Sequence, residues 1–258
     1  MYEKLKSVYL AWQSAKGWFP IGRLDFEQAS PIPYYRFCYL AGVRRAQAEA
    51  GFVPIDSFPN LDRVYESAEL FPLFQNRVMD SHRPNFDQYL QSLALPAEYQ
   101  QPIHILAVSG GKRRTDSFEV FPHIERASQG HFELSFFLHG TRYLGPAALD
   151  AIDTLRAGQK VTLKHEEENM GTHRPALRVE IPQGQIIGYT PNYLVPDFHY
   201  IRENCILPER VTVQCINPQN PLDSRVLLHM VGCWPDDYSA MIPTEFKPLH
   251  ENAVAQLA

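Results

Sequence analysis

Cysteine is scarce: the 258 residues hold four, at positions 38, 205, 215 and 233. They form no CxxC pair, and four in a chain this long are no disulfide framework. A reduced, cytoplasmic setting is therefore expected. No apolar run approaches the roughly 18–20 residues a membrane span requires, so no membrane partner is expected. The opening Met1-Tyr2-Glu3-Lys4-Leu5-Lys6 leads into no signal-peptide core. Excess positive charge is also missing. Lys and Arg number 24 against 29 Asp and Glu, a net charge of −5, which argues against a generic nucleic-acid coat but not against a local basic site.

Catalytic signatures are absent as well. Gly110-Gly111-Lys112 is no Walker A loop, because Arg113 stands where a Ser or Thr must bind magnesium. There is no GxGxxG, HExxH or GxSxG. His123, His131 and His139 lie eight apart, which suits neither helical nor compact-loop ligation, so they read as surface or hydrogen-bonded histidines. Asp236, Glu245 and Lys247 mimic a metal-nuclease signature, which needs carboxylates held on strands around a divalent cation. Pro243 and Pro248 flank Glu245-Phe246-Lys247 and disfavour a strand there. The expectation is a non-enzymatic protein with no metal and no cofactor.

What is present is ordinary globular material: 45% hydrophobic and 21% charged residues, in a length that fits one large domain or two small ones. Val8–Trp12 and Tyr34–Tyr39 read as aromatic strands, with a turn over Gly17–Pro20. Ala46–Ala50 reads as a helical turn closed by Gly51. A helix starts at Phe71-Pro72, and another over 86–93 places Phe86, Tyr89, Leu90 and Leu93 on one face. Ile103–Val108 reads as a strand, turning at Gly110-Gly111 and pairing with Ser117–Phe121. Beyond it come an apolar strand over Phe132–Leu138 and a helix over Ala147–Leu155, stopped at Gly158. Short strands follow over 160–164, 176–181, 185–189, 210–216 and 226–231, with a helix over 191–202 interrupted at Pro196. The class is α+β: a small N-terminal α+β unit (1–100), a β-hairpin connector with a basic turn (101–130), an OB-like or SH3-like β-barrel with one or two helices (131–233), and a Pro-rich C-terminal arm (234–258).

Within the second half one ordered set of elements stands out. Phe136-Phe137-Leu138-His139-Gly140-Thr141-Arg142-Tyr143 precedes the helix. Gly158-Gln159-Lys160-Val161-Thr162-Leu163 runs into the acidic Glu166-Glu167-Glu168-Asn169. Ala176-Leu177-Arg178-Val179 and Gly188-Tyr189-Thr190-Pro191 complete the set. Over about residues 132–231 the chain resembles the HIRAN domain. The resemblance implies an OB-like barrel that binds DNA, including single-stranded 3′ ends. It implies that Arg142 holds a phosphate and Tyr143 stacks on a terminal base, with Tyr189 lining the groove. Asn192 falls where a family member carries a backbone-binding Lys. The family loop carries an Asp that reads the 3′-hydroxyl. Here Asn169-Met170-Gly171-Thr172-His173-Arg174-Pro175-Ala176 is one residue longer, with Thr172 or His173 at that place, so a strict demand for a free 3′-hydroxyl does not carry over. Arg174 adds a cation for internal backbone. The chemistry agrees, since guanidinium grips phosphate bidentately and an aromatic ring is a sequence-tolerant platform. Packing readings stand beside these: Tyr143 as a cap on the barrel, and Tyr189 as core.

The N-terminal stretch, through Ile21-Gly22-Arg23-Leu24, Tyr35-Arg36-Phe37 and Leu70-Phe71-Pro72-Leu73-Phe74-Gln75-Asn76-Arg77, resembles the N-terminal subdomain of HipA-type toxin kinases. The kinase core and its motifs are absent, so the resemblance implies a docking module for a protein partner through residues 1–100. Lys112-Arg113-Arg114 is either a solvated turn or a further grip on a phosphate backbone. The expected function is non-enzymatic binding of single-stranded DNA or DNA 3′ ends, in repair or in defence against phage and mobile elements. The alternative is a protein-interaction adaptor of a toxin–antitoxin or phage-defence system with a degenerate groove.

Overall fold

The computed structural model describes residues 5–27, 33–165, 177–204, 210–236 and 238–249. The fold is α+β, with two antiparallel sheets and few helices. The chain divides into two compact units. Residues 97–123 and 241–249 belong with the N-terminal unit, and residues 87–96 with the second. Among the described residues no helix is long and apolar enough to cross a membrane. Cys38, Cys215 and Cys233 are free thiols.

The N-terminal unit is built on a five-stranded sheet of order β4-β3-β2-β1-β5, comprising β1 (Ser7–Ser14), β2 (Gly17–Glu27), β3 (Tyr34–Tyr39), β4 (Tyr65–Ser67) and β5 (Phe118–Pro122). The turn joining β1 and β2 is Ala15-Lys16, and Gly17–Pro20, expected to be a turn, is strand. Trp18 and Phe19 pair with Gln13 and Trp12, and the register shifts between Leu10 and Ala11 as the partner changes from Gly22 to Pro20. A proline is tolerated at such a bulge because the ladder is already interrupted there. Val8, Leu10, Leu24 and Phe37 point to one face and bury against α1 (Gly42–Ala50), Phe58, Phe74 and Leu106. α1 ends as expected at Gly51, in the left-handed region (φ 71°).

The unit's short helix α2 (Pro72–Gln75) starts at Phe71-Pro72 as expected. Ile103–Val108, expected to be a strand, belongs instead to a helix, α4 (Pro102–Ser109), which follows α3 (Phe86–Ser92) of the second unit. Its six residues from Ile103 to Val108 are all buried, so no polar face marks the helical period, and a short apolar run looks the same in either state. The ends decide. Pro102 sits at the first helical turn, where its missing N–H costs nothing. Gly110 (φ 73°) closes the helix by donating its N–H to the Leu106 carbonyl at 3.1 Å. β5 accordingly pairs with β1 and not with 103–108.

The basic turn after α4 is held from below. The Arg77 side chain is almost fully buried, donating from Nη1 to the Gly111 carbonyl at 2.9 Å and from Nη2 to Asp116 at 2.7 Å. Its guanidinium lies 5.4 Å from the centre of the Phe118 ring. Residues 241–249 pack on this unit as well. Phe246 is buried among Tyr9, Trp18 and Phe121, and Leu40 pairs with Pro248.

The second unit carries a six-stranded sheet of order β6-β11-β10-β7-β8-β9, comprising β6 (His131–Phe137), β7 (Lys160–His165), β8 (Leu177–Glu180), β9 (Ile186–Tyr189), β10 (Arg210–Ile216) and β11 (Val226–Cys233). Phe132, Leu134 and Phe136 face Gly232, Met230 and Leu228 across β6 and β11, as period-two burial requires. The sheet curls until its first and last strands meet. His139, just past β6, pairs with Tyr189 at the end of β9, each N–H donating to the other's carbonyl at 2.9 Å.

Two further helices, α5 (Pro146–Asp153) and α6 (Val195–Asn204), join α3 in this unit. α5 ends at Thr154, ahead of Gly158, which instead turns the chain (φ 81°) and donates to the Val213 carbonyl at 2.8 Å as β7 begins. Pro196 does not interrupt α6 but lies in its first turn, where no backbone donor is needed. The segment after β11 is tied to α6 by Tyr238, whose hydroxyl donates to buried Asp197 at 2.5 Å and whose ring stacks on Tyr200 at 3.9 Å. Burial and that carboxylate raise the Tyr238 pKa, so the phenol stays protonated.

Removing the Arg77 guanidinium leaves Gly111 and Asp116 without their buried partner. Arg77→Met is expected to lower stability by about 3 kcal/mol, the low end for breaking a buried pair, because Asp116 keeps some contact with water. Urea unfolding measures this, and a loss below about 0.5 kcal/mol would show that the pair does not hold the turn.

Candidate nucleic-acid interface

The corner after β6 is shaped by two glycines. Gly140 has φ 69°, a conformation L side chains rarely adopt, and a Cβ there would lie 2.7 Å from the Tyr189 ring. At Gly188 a Cβ would come within 2.5 Å of Leu138. Both strands can therefore approach closely where the barrel closes, and the Tyr189 ring lies on Gly140. The chain then makes a single 3-10 turn, Thr141–Tyr143, before α5.

That turn splits its side chains. Thr141 is buried, whereas Arg142 and Tyr143 are exposed. Tyr143 is 75% exposed, an unusual state for so large a ring. It is nonetheless oriented: the Arg142 guanidinium sits 4.7 Å from its centre and donates from Nη2 to its hydroxyl at 2.6 Å. Arg142 thus covers the ring with a cation and keeps further N–H donors for another acceptor. The reading of Tyr143 as a packed cap does not hold, since a cap would be buried. Tyr189 is half-buried, and Asn192, exposed, opens the 3-10 turn after β9. Arg142, Tyr143, Tyr189 and Asn192 thus belong to the second unit, around the barrel closure and the turn after β9.

The remaining expected residues are placed differently. Thr172, His173 and Arg174, with Asn169, lie outside the described residues. Lys112, Arg113 and Arg114 are exposed on the N-terminal unit, where Lys112 is paired with Glu119 at 3.0 Å. The carboxylates of the nuclease-like signature are each engaged by an arginine, Asp236 by Arg126 and Glu245 by Arg45, both at 3.1 Å. Glu245 lies in a 3-10 turn, Thr244–Phe246, as the flanking prolines indicate.

Two cations are not singled out by the sequence. Lys164 on β7 is directly across from Arg178 on β8, and Arg178 is directly across from Tyr189 on β9. Both cations bind Glu180, Lys164 Nζ at 2.6 Å and Arg178 Nε at 2.7 Å. The hydrogen bond from Lys164, with Arg178 beside it, holds the Glu180 carboxyl below its usual value against the opposing effect of burial. Strand alternation places each residue on a face, but the pairing register that makes them neighbours of Tyr189 is a tertiary fact.

No family model and no curated protein matches this sequence. Two solved structures show a distant likeness. A Lactobacillus plantarum protein from structural genomics is 20% identical, with a TM-score of 0.30, covering 40% of this chain and 97% of that one. The HIRAN domain of human HLTF is 19% identical, with a TM-score of 0.31, covering 41% of this chain and 81% of that one.

Glu180 generates a pH prediction. Its pKa is depressed in the folded state, so its stabilisation is fully present above the ordinary glutamate value of about 4.3 and is lost as pH falls through the lower folded value. The melting temperature of the wild type is expected to fall on acidification, and that of Glu180→Gln to fall less over the same range. Parallel melting curves from about pH 6 to about pH 3 would contradict this.

Proposed function

We propose that this chain is a non-enzymatic DNA-binding protein that engages single-stranded DNA at the Arg142–Tyr143 corner of the barrel. The observation that carries the reading is an exposed aromatic ring held in place by an arginine. A base stacks on the ring face that Arg142 does not cover, and the guanidinium donors not used on the Tyr143 hydroxyl take the adjoining phosphate. Stacking needs no particular base, so the binding is sequence-tolerant. Tyr189 adjoins the site, its ring lying on Gly140, and Asn192 is exposed at the start of the 3-10 turn that follows. The resemblance of residues 132–231 to the HIRAN pattern supports the same chemistry, and with it a preference for strand ends. A role in repair or in conflict with mobile elements, and a protein partner for residues 1–100, belong to this same proposal.

Fluorescence anisotropy with labelled oligonucleotides tests it, comparing single strands ending in a 3′-hydroxyl or a 3′-phosphate, a blunt duplex and RNA. Tyr143→Ala is expected to weaken single-strand binding by about one to two orders of magnitude, the worth of one stacked base, while Tyr143→Phe keeps most of it. Arg142→Ala is expected to weaken binding and flatten its salt dependence. Wild type that binds none of these ligands at low salt, or binding indifferent to both alanine substitutions, would overturn the reading. A stable protein complex without DNA affinity would then favour an adaptor.

A further inference from the structure

We infer that the path of the bound strand continues from the corner across β9 and β8 to Arg178 and Lys164, which form a second position for backbone phosphate. The inference rests on the proposed binding at Arg142 and Tyr143 and extends it along the sheet.

The register supplies the path. Residues directly opposite in antiparallel strands share a face, so Lys164, Arg178, Tyr189 and His139 form one row across the sheet and its closure. Neighbouring strands lie about 4.8 Å apart, which puts Lys164 roughly 10 Å from Tyr189 along the row. The alternate positions Leu163, Val179 and Gly188 are buried, so the opposite face is the core and this row is the outer one.

The charge distribution within the cluster supplies the ligand. Two cations share one carboxylate, leaving a net positive charge. They are also layered: the Glu180 side chain is 5% exposed, Arg178 32% and Lys164 52%. The anion lies beneath and the cations above, so the surface offered to solvent is cationic. Arg178 meets Glu180 as an ion pair at Nε and Lys164 does so through its ammonium group, and the Arg178 Nη donors and the remaining ammonium protons can reach a phosphate without displacing Glu180. Glu180 sets their height and orientation, which limits the ordering cost when a phosphate arrives.

The salt dependence of binding is the test, read with an oligonucleotide of about 10 residues, long enough to span both positions. Each phosphate contact on a single strand contributes about 0.7 to the slope of log affinity against log salt. Lys164→Gln is expected to reduce the slope by about 0.7, and Lys164→Arg to keep the wild-type value. The Lys164 side chain is half exposed, so both variants should fold, which thermal melting verifies. A wild-type slope in Lys164→Gln, with binding still weakened by Tyr143→Ala, would overturn the extension and leave the corner standing. Wild-type protein that binds no oligonucleotide would overturn both.

Discussion

The reciprocal hydrogen bonds between His139 and Tyr189 are what the second unit depends on. They join the first strand of the sheet to the last, so the six strands curl into a closed corner and present no continuous edge there. Closure at that point requires backbone to approach backbone, which Gly140 and Gly188 permit and any Cβ would oppose. It also constrains the next three residues. The chain leaves the closure through a left-handed residue, Gly140, and makes one short 3-10 turn. Thr141 goes inward, and Arg142 and Tyr143 go out. The exposed ring stands directly after the closure, and its partner arginine keeps it oriented.

The distribution of charge matters more here than its total. With a net charge of −5 the whole protein does not attract polyanions over long distances, and screening at physiological salt reduces any such field to about 8 Å. Local arrangement decides. On the N-terminal unit the basic turn has Lys112 matched to Glu119, which lowers its pull on an anion. On the barrel the carboxylate of Glu180 is buried and its two cations are not.

Much of this is legible in the sequence. The α+β class and the strands over 132–138, 160–164 and 226–231 follow from alternation, and the corner motif singles out Arg142 and Tyr143, but the exposure of Tyr143, which a packed cap would lack, comes from the structure. Ile103–Val108 misleads because an element buried on every side shows no period, although Pro102 and Gly110 mark a helix by its ends. Gly17–Pro20 misleads because Gly and Pro suggest a turn, whereas the bulge at Leu10/Ala11 accommodates the proline within a strand. Lys164 and Arg178 cannot be found at all from spacing. They stand 14 residues apart on neighbouring strands, and they line up with Tyr189 only through the pairing register of three strands. Local chemistry is readable, but the juxtaposition of distant residues requires the register.

The most direct measurement is an NMR titration of the isotope-labelled full-length chain with a short single-stranded DNA. Binding at the barrel closure predicts progressive shifts of the amides of Gly140–Leu144 and of Tyr189, continuing to Arg178 and Lys164 as the strand lengthens. Shifts confined to the N-terminal sheet, or a spectrum that does not change at saturating DNA, would contradict binding at that corner.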